Sequence, residues 1–292
     1  MKETPKRQAK PDWLKVSLPK GPEFRQISEL TRKEGLATVC EEAKCPNLGE
    51  CWSSGTATFM LLGEVCTRAC RFCSVETAAR PAAPDPQEPI KIARTAKALK
   101  LKYLVLTCVD RDDLPDLGAA HMAKVVEQVQ SANPELMVEL LAPDFSGRLD
   151  LLELLLEHPP LVLGHNLETV ERLSKLARDP RCGYRQSLEV LGHIKKYSPQ
   201  QRTKSSLLLG LGESREETLQ AMKDLREAQV DFLTLGQYLQ PTKAKLPVLR
   251  YLSPEEFTEL GQLGREMGFA YVASGPLVRS SYRAFEYFMA KQ

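Results

Sequence analysis

The chain has 292 residues, of which 42% are hydrophobic, and a formal net charge of +2 at neutral pH. This length and apolar content suffice for one large core, either a single barrel-sized domain or two small domains. The net charge is too small to create a strong positive field that would attract nucleic acid. The sequence has no apolar run of 18 residues that could span a membrane. The first ten residues hold four lysines or arginines instead of an apolar signal core, so we expect a cytoplasmic protein.

The N-terminal segment up to residue 56 predicts little regular structure. Residues 1–35 are polar and lack periodicity, so we expect an extended arm that wraps the domain or is partly disordered. Residues 36–56 are broken by glycine, proline and asparagine and predict a loop. This loop holds Cys40, Cys45 and Cys51, spaced C-x4-C-x5-C.

From residue 57 onward, short apolar runs alternate with amphipathic stretches, which indicates βα units and a parallel sheet. Strands are predicted at 57–63, 102–107, 136–141, 160–163, 206–211 and 231–235, with a further short run at 269–273. Helices are predicted at 88–100, 117–131, 147–157, 167–178, 185–197, 214–229 and 254–266. Asp116 and Ser214 suit N-caps, and Pro254 suits a first helical turn behind Ser253. Polar residues follow the strand ends, so we expect them to meet at one mouth of a barrel.

A second cysteine group, Cys66, Cys70 and Cys73, has the spacing C-x3-C-x2-C directly after the first predicted strand. Three thiolates this close can bind three corners of one cubane iron–sulfur cluster and leave the fourth iron open to a small molecule. By itself, the spacing indicates only a compact site for a soft metal.

Disulfides and zinc are the alternatives for these cysteines. A reducing compartment disfavours disulfides. Structural zinc takes four closed ligands, whereas each triad lacks a local fourth ligand and all four histidines lie downstream of residue 120. The two isolated cysteines, Cys108 and Cys182, are expected to be small buried or half-buried side chains.

The two cysteine spacings, in this order, resemble those of the lipoyl synthase family, a branch of the radical S-adenosylmethionine (SAM) enzymes. Five further segments agree with that family: 109–115 (VDRDDLP), 165–170 (HNLETV), 210–213 (GLGE), 236–241 (GQYLQP) and 279–282 (RSSY). The resemblance runs from about residue 35 to 285.

The resemblance implies an α/β fold, a partial (β/α)6 TIM-like barrel with an N-terminal extension and a C-terminal segment that covers the barrel mouth. The implied divisions are an N-terminal arm with an auxiliary-cluster loop (1–56), a radical SAM partial barrel (57–275) and a C-terminal segment with the RSSY motif (276–292). Two 4Fe–4S clusters and SAM are implied. The implied ligands are Cys66, Cys70 and Cys73 for the first cluster, and Cys40, Cys45, Cys51 and Ser281 for the second, with Ser280 as the alternative serine.

Three residues are candidates for contact with SAM. Phe72 would lie along the adenine or shield the cluster, with simple packing as the alternative. Asn166 and Arg185 would bind polar parts of SAM. The guanidinium of Arg185 can donate two parallel hydrogen bonds, which suits the carboxylate of SAM. A surface ion pair is the alternative for Arg185. The acidic run 110–113 is either a solvated turn with local ion pairs or a catalytic loop.

The implied activity is that of a sulfurtransferase in lipoate biosynthesis. Two sulfur atoms would enter a protein-bound octanoyl chain at C6 and C8, with two SAM molecules consumed and the second cluster as sulfur donor. Implied partners are octanoylated lipoyl carrier domains (the glycine cleavage H protein and 2-oxoacid dehydrogenase E2 subunits) and an electron donor, ferredoxin or flavodoxin, with no nucleic acid or membrane. The alternatives are a related radical enzyme whose second cluster transfers electrons or supports a different sulfur insertion, and a zinc-stabilised binding module.

Overall fold

The computed structural model describes residues 9–15, 22–42, 47–53, 56–281 and 286. Ten strands lie in these ranges: β1 (Ala37–Thr38), β2 (Thr56–Leu61), β3 (Val65–Cys66), β4 (Glu76–Thr77), β5 (Tyr103–Cys108), β6 (Met137–Leu141), β7 (Val162–Gly164), β8 (Arg202–Leu209), β9 (Phe232–Gln237) and β10 (Tyr271–Gly275). Eight of them form one sheet in the order β1-β2-β5-β6-β7-β8-β9-β10, and β3 pairs separately with β4.

Strand pairing gives the sheet the form of a partial barrel. β2 and β5 to β10 are parallel, and only the short β1 runs antiparallel, against β2. Among the described residues no pairing joins β10 back to β1, so the sheet stays open. The predicted α/β partial barrel is therefore confirmed. It has seven parallel strands, because the short run predicted at 269–273 adds a last strand, β10, beside β9.

Helices connect the parallel strands, as expected for βα units. They are α4 (Glu88–Ala98), α5 (Ala119–Ala132), α6 (Leu149–Leu155), α7 (Glu171–Ala177), α8 (Tyr184–Tyr197), α9 (Arg215–Glu227) and α10 (Pro254–Glu266). Three further helices precede β2: α1 (Pro22–Glu34), α2 (Val39–Glu42) and α3 (Leu48–Ser53). As predicted, Ser214 is the N-cap of α9 and Pro254 lies in the first turn of α10 behind Ser253; both serines form capping boxes. Asp116 accepts hydrogen bonds from the Gly118 and Ala120 amides, although Gly118 is the N-cap of α5. In the described ranges no helix is both long and apolar enough to cross a bilayer.

Two local predictions were wrong. Part of the expected arm, residues 22–34, is the helix α1, and it packs through Ile27 against the buried Trp52 of α3. The expected loop at 36–56 holds β1, α2 and α3. Contact with the barrel stabilises these short elements, which local sequence signals alone do not indicate.

The strand β8 begins four residues earlier than predicted because its first half is polar and nevertheless buried. Lys204 pairs with Glu139 at 2.7 Å inside the barrel. Thr203 contacts Asp231, and the Ser205 hydroxyl accepts the Leu167 amide. Each buried polar group is satisfied, so a polar stretch is stable in a central strand.

The chain crosses the barrel mouth after β10. The Leu277 carbonyl accepts a hydrogen bond from the Asn47 side chain at 2.5 Å, which ties this segment to the N-terminal cysteine region. The Val278 carbonyl lies so close to Gly236 of β9 that an added Cβ would be 2.1 Å from it. Arg279 donates to the Gln237 carbonyl at 3.2 Å. The segment 276–281 is thus held on both sides, and only glycine fits at residue 236.

Candidate active site

A cavity of about 270 Å³ opens at the C-terminal ends of the barrel strands. Segments far apart in the sequence contribute to its wall, among them Val39, the loop with Cys66, Cys70 and Cys73, and the pair Ser280 and Ser281. Strand residues including Met60, Val105 and Leu141 add an apolar surface. The cavity therefore lies where parallel barrels place their chemistry.

The three thiols of the Cys66 triad are half-buried and face this cavity together. Backbone amides donate to two of the sulfur atoms: Arg68 and Asp110 to Cys66 Sγ at 3.4 and 3.3 Å, and Asp179 to Cys70 Sγ at 3.3 Å. Amide hydrogen bonds to cysteine sulfur are one of the means by which proteins tune iron–sulfur clusters.

Burial keeps these thiols protonated in the absence of a metal. Burial, together with the nearby Asp110 carboxylate, raises the pKa of Cys66 to about 12. A hydrogen bond with Cys182 and burial both raise the pKa of Cys70, and burial raises that of Cys73. A coordinated metal deprotonates such thiols outright.

The arrangement fits a cluster better than a single ion. Within the described residues, no three cysteine, histidine or acidic side chains converge closely enough to chelate one metal ion. In a cubane cluster each thiolate binds a different iron, so the sulfur ligands stand apart around a shared space. Cys66, Cys70 and Cys73 all line one cavity, and three thiolates around a shared space fit a cluster with one open iron.

A buried arginine organises the acidic side of the cavity. Arg68 is 3% exposed and binds both carboxylate oxygens of Asp112, at 2.9 and 2.8 Å, and Asp144 Oδ1 at 2.6 Å. Although burial opposes it, Arg68 holds the pKa of Asp112 below its usual value. Burial raises the pKa of Asp110 to about 6 despite the attraction of Arg68. The run 110–113 is therefore rich in ion pairs, as one alternative held; Arg111 is buried, Asp110 and Asp112 are half-buried, and Asp113 is exposed.

Replacing Arg68 with methionine should lower the free energy of unfolding by about 3–5 kcal/mol, because it leaves buried carboxylates without their partner. Arg68→Lys should be intermediate, since it keeps the charge but loses the two-pronged contact with Asp112. The measurement is urea unfolding under anaerobic conditions, followed by the fluorescence of the buried Trp52. Arg185→Ala, which breaks an exposed ion pair with Glu171, is the control and should unfold like the parent. Equal unfolding curves for Arg68→Met and the parent would contradict this account.

The segment that follows β7 forms another side of the cavity. His165 is buried between the Ala142 carbonyl and the Ser187 hydroxyl, which lie at 3.0 and 2.8 Å from its two ring nitrogens. Burial lowers the pKa of His165 to about 4, so its ring is neutral at pH 7. Glu168 has a left-handed φ of +69°, and its carboxylate accepts from Asn166 at 3.0 Å. Such strain in a non-glycine residue concentrates at functional sites.

The structure separates the three candidates for SAM contact. Phe72 and Asn166 both line the cavity. Arg185 does not; it lies on the exposed side of α8 and binds Glu171 through two hydrogen bonds of 2.8 Å. This position matches the alternative of a surface ion pair, and a contact between Arg185 and SAM would require the pair to open.

The second triad is only partly described. Cys45 lies outside the described residues, as does the side chain of Cys40, whose backbone belongs to α2. Cys51 is half-buried on α3. The Ser74 hydroxyl donates to the Glu42 carbonyl at 3.1 Å, so the end of α2 lies against the loop of the first triad.

Sequence reasoning missed that both remaining cysteines face the cavity. Cys108 is half-buried and Cys182 is 8% exposed, as expected, but both line the cavity together with the triad. The Cys182 sulfur accepts from Arg68 at 3.3 Å. The available signal was the position of Cys108 at the end of a predicted strand.

Comparison with known proteins identifies the family. The model of the Radical SAM superfamily matches residues 60–225, and that of the N-terminal domain of lipoyl synthase matches residues 1–45. The chain is also 52% identical over 280 residues to lipoyl synthase of Thermus thermophilus, covering 96% of this chain and 87% of the other. The chain belongs to the lipoyl synthase family.

Other lipoyl synthases are equally similar. That of Legionella pneumophila strain Paris is 55% identical, with 95% of this chain and 84% of the other covered. The mitochondrial lipoyl synthase of Schizosaccharomyces pombe is 52% identical, with 96% and 77% covered. Membership of this family makes the chain a radical SAM enzyme that inserts sulfur, with a 4Fe–4S cluster and SAM as cofactors.

Solved structures agree on the fold. The hydrogenase maturase HydG from Carboxydothermus hydrogenoformans superposes with a TM-score of 0.59 at 13% identity, over 86% of this chain and 65% of the other. Methylornithine synthase superposes with a TM-score of 0.58, also at 13% identity, over 87% and 71%. At this level of identity the likeness concerns the fold alone.

Proposed function

We propose that this lipoyl synthase homologue inserts two sulfur atoms, at C6 and C8, into an octanoyl chain carried on a protein. Two SAM molecules are consumed for each product. A second cluster, on Cys40, Cys45, Cys51 and Ser281, is the source of sulfur. The substrates are octanoylated carrier domains such as the glycine cleavage H protein and 2-oxoacid dehydrogenase E2 subunits.

One observation carries the proposal: the cavity is walled by the first cysteine loop, by the residue before Cys40, and by Ser280 and Ser281. The hydrogen bond from Asn47 to Leu277 supports the same proximity, since it joins the two segments that hold the proposed auxiliary ligands. A substrate carbon in this cavity would lie between the two cysteine regions, which suits hydrogen abstraction on one side and sulfur transfer on the other.

The residues of the chain have distinct proposed roles. Cys66, Cys70 and Cys73 hold the cluster that, with SAM bound, supplies a carbon-centred radical able to break an unactivated C–H bond. Asn166 and Phe72 border the space for SAM. The apolar surface of Met60, Val105 and Leu141 suits the octanoyl chain and excludes water.

Mass spectrometry of the carrier tests the proposal. The reconstituted enzyme is incubated anaerobically with octanoylated H protein, SAM and dithionite, and the carrier is expected to gain two sulfur atoms. A hexanoylated carrier, which has no C8, is the control and should yield no dithiol. Cleavage of SAM without any gain of sulfur would overturn the proposal and favour an enzyme whose second cluster only transfers electrons.

Gly236→Ala should separate the two halves of the reaction. Its new methyl group would meet the Val278 carbonyl and displace the segment with Ser280 and Ser281. We expect a loss of about 1–3 kcal/mol in stability, much reduced sulfur insertion and retained SAM cleavage, measured by urea unfolding and by mass spectrometry.

Gly192→Ala is the matched control. Gly192 lies within α8, and an added Cβ would have no neighbour within 4 Å. This substitution should be neutral or stabilising by up to about 1 kcal/mol, with full activity. Undiminished sulfur insertion by Gly236→Ala would show that the position of the C-terminal segment does not matter.

A further inference from the structure

A second, smaller groove lies on the outer side of the first cysteine loop. It has a volume of about 110 Å³ and is apolar, with one wall from α7 (Leu173, Leu176) and the other from residues 246–249 (Leu246, Leu249). Leu176 and Leu249 are 45% and 44% exposed, so its rim presents leucine to solvent. We name this feature the outer groove.

The cysteine loop is bound to both walls of the outer groove. The Arg71 amide donates to the Ala177 carbonyl at 2.8 Å, and the Arg71 carbonyl accepts from the Leu246 amide at 3.0 Å. Lys245 donates to the Cys70 carbonyl at 3.4 Å. The next residue, Phe72, lines the inner cavity. Phe72 also packs against the buried cluster that includes Leu173, Ala177 and Leu246 of the groove walls. The cysteine loop therefore lies between the outer groove and the inner cavity that its thiols line.

The elements around the outer groove carry cations that are not neutralised. Arg71, Lys175 and Lys243 are exposed and Lys245 is half-buried. None of the four forms an ion pair with a carboxylate in the described part of the chain, whereas the neighbouring Arg172 and Arg250 are paired with Glu217 and Glu256.

The other outer side of the loop has a different character. There a pocket is lined by Asp112, Asp113, Arg181, two threonines and three alanines. It presents two carboxylates, its arginine is paired with Asp112, and no leucine or other large apolar side chain lines it. An acidic protein that approaches the cysteine loop is therefore attracted to the outer groove and not to this pocket.

We propose that the outer groove is the docking surface for the protein that reduces the first cluster, a small acidic one-electron carrier. This inference rests on the proposed function. An apolar centre with a basic rim is the anatomy of an interface for an acidic partner. For each SAM cleaved the carrier gives up one electron, the cluster accepts it, and no atom is transferred between the proteins.

The acyl carrier of the proposed function needs a different entrance. It must bring an octanoyl-lysine arm into the inner cavity, and the residues that line the outer groove and the inner cavity do not overlap. A donor in the outer groove delivers an electron through the loop while the substrate occupies the cavity from its own mouth.

The test compares two reductants on charge-reversed holoenzyme. Lys175→Glu combined with Lys243→Glu alters only exposed residues outside the cavity. With reduced flavodoxin, and ferredoxin in parallel, the rate of SAM cleavage should fall about tenfold or more, as loss of electrostatic steering predicts. With dithionite the rate should not change. Titration calorimetry with flavodoxin should show weaker binding that depends less on salt.

Two further variants sharpen the result. Lys97→Glu combined with Lys124→Glu makes the same change in net charge on α4 and α5, and should behave like the parent. Leu176→Ser should weaken flavodoxin binding through the apolar centre alone.

Several outcomes would overturn the inference. Equal losses with dithionite and flavodoxin, or equal losses in the control on α4 and α5, would remove the docking role. If the charge-reversed variant lost activity with dithionite as reductant, and only when the acyl carrier is limiting, the groove would be assigned to that carrier. The docking test measures SAM cleavage and does not depend on sulfur transfer. If the proposed function is wrong, the parent enzyme itself will cleave SAM and yield no dithiol, which is a different result from a loss confined to the charge-reversed variant.

Discussion

Alanine at Cys66, Cys70 and Cys73 together is expected to abolish the reductive cleavage of SAM. These thiols face one cavity, and amide donors already bind the Cys66 and Cys70 sulfur atoms. Without them no cluster with an open iron can form, so neither 5′-deoxyadenosine nor lipoyl product should appear. Chromatography of 5′-deoxyadenosine and mass spectrometry of the carrier measure the two activities separately.

The matched triple variant is alanine at Cys40, Cys45 and Cys51. It should keep SAM cleavage, because the first triad is intact, and lose sulfur insertion, because the proposed donor cluster is gone. Thiolated carrier from either triple variant would contradict the division of labour. Loss of SAM cleavage in both would mean that the second triad supports the first site.

Ser281→Ala is expected to reduce sulfur insertion while SAM cleavage continues. Ser281 lines the cavity. The segment that holds it is joined to the N-terminal cysteine region by the hydrogen bond from Asn47 to the Leu277 carbonyl. Removal of groups that merely support metal ligands costs roughly 10–100-fold in activity, and loss of a direct ligand should cost no less. If Ser281 holds the second cluster, its alkoxide would bind iron less firmly than a thiolate would, which would suit a ligand that has to be given up when sulfide is removed.

Ser281→Cys and Ser280→Ala complete this series. A cysteine should hold the cluster more firmly and slow sulfur release, whereas Ser280→Ala should retain activity if Ser281 is the ligand. The variants are assayed on octanoylated carrier and examined crystallographically. Full activity of Ser281→Ala, with an unchanged cluster and no serine oxygen near iron in the parent, would refute the assignment.

The parts of the fold that could be predicted are those with a clear apolar period. The strands and helices after residue 57 were located because parallel strands that are buried on both faces form short apolar runs. The beginning of β8 was missed because Thr203 and Lys204 are polar but satisfied by Asp231 and Glu139. The helix α1 was missed although its sequence is amphipathic, with Pro22 at its start and Gly35 after its end, and Ile27 lies on the face that packs against Trp52.

The sequence could predict the parts of the candidate site that depend on the spacing of cysteines. It could not predict the parts that depend on contacts between residues far apart in the chain. The Cys66 spacing indicated a soft-metal site, and the structure brings its three thiols to one cavity. The burial of Arg68 against Asp144, 76 residues away, has no local signal. The position of Arg185 was equally undetermined, since an arginine at a helix start faces either the core or solvent. The boundaries at residues 56 and 275 and the second ligand set stay predictions.

The central claim is that two clusters serve one cavity and that one of them provides the sulfur. Anaerobic reconstitution followed by chemical analysis tests it most directly, and about eight iron ions and eight sulfides per chain should be found. After one turnover with SAM and octanoylated carrier, the sulfide lost from the protein should equal the sulfur gained by the carrier. Tightly bound zinc without sulfide, or a thiolated carrier with all protein sulfide retained, would contradict the account.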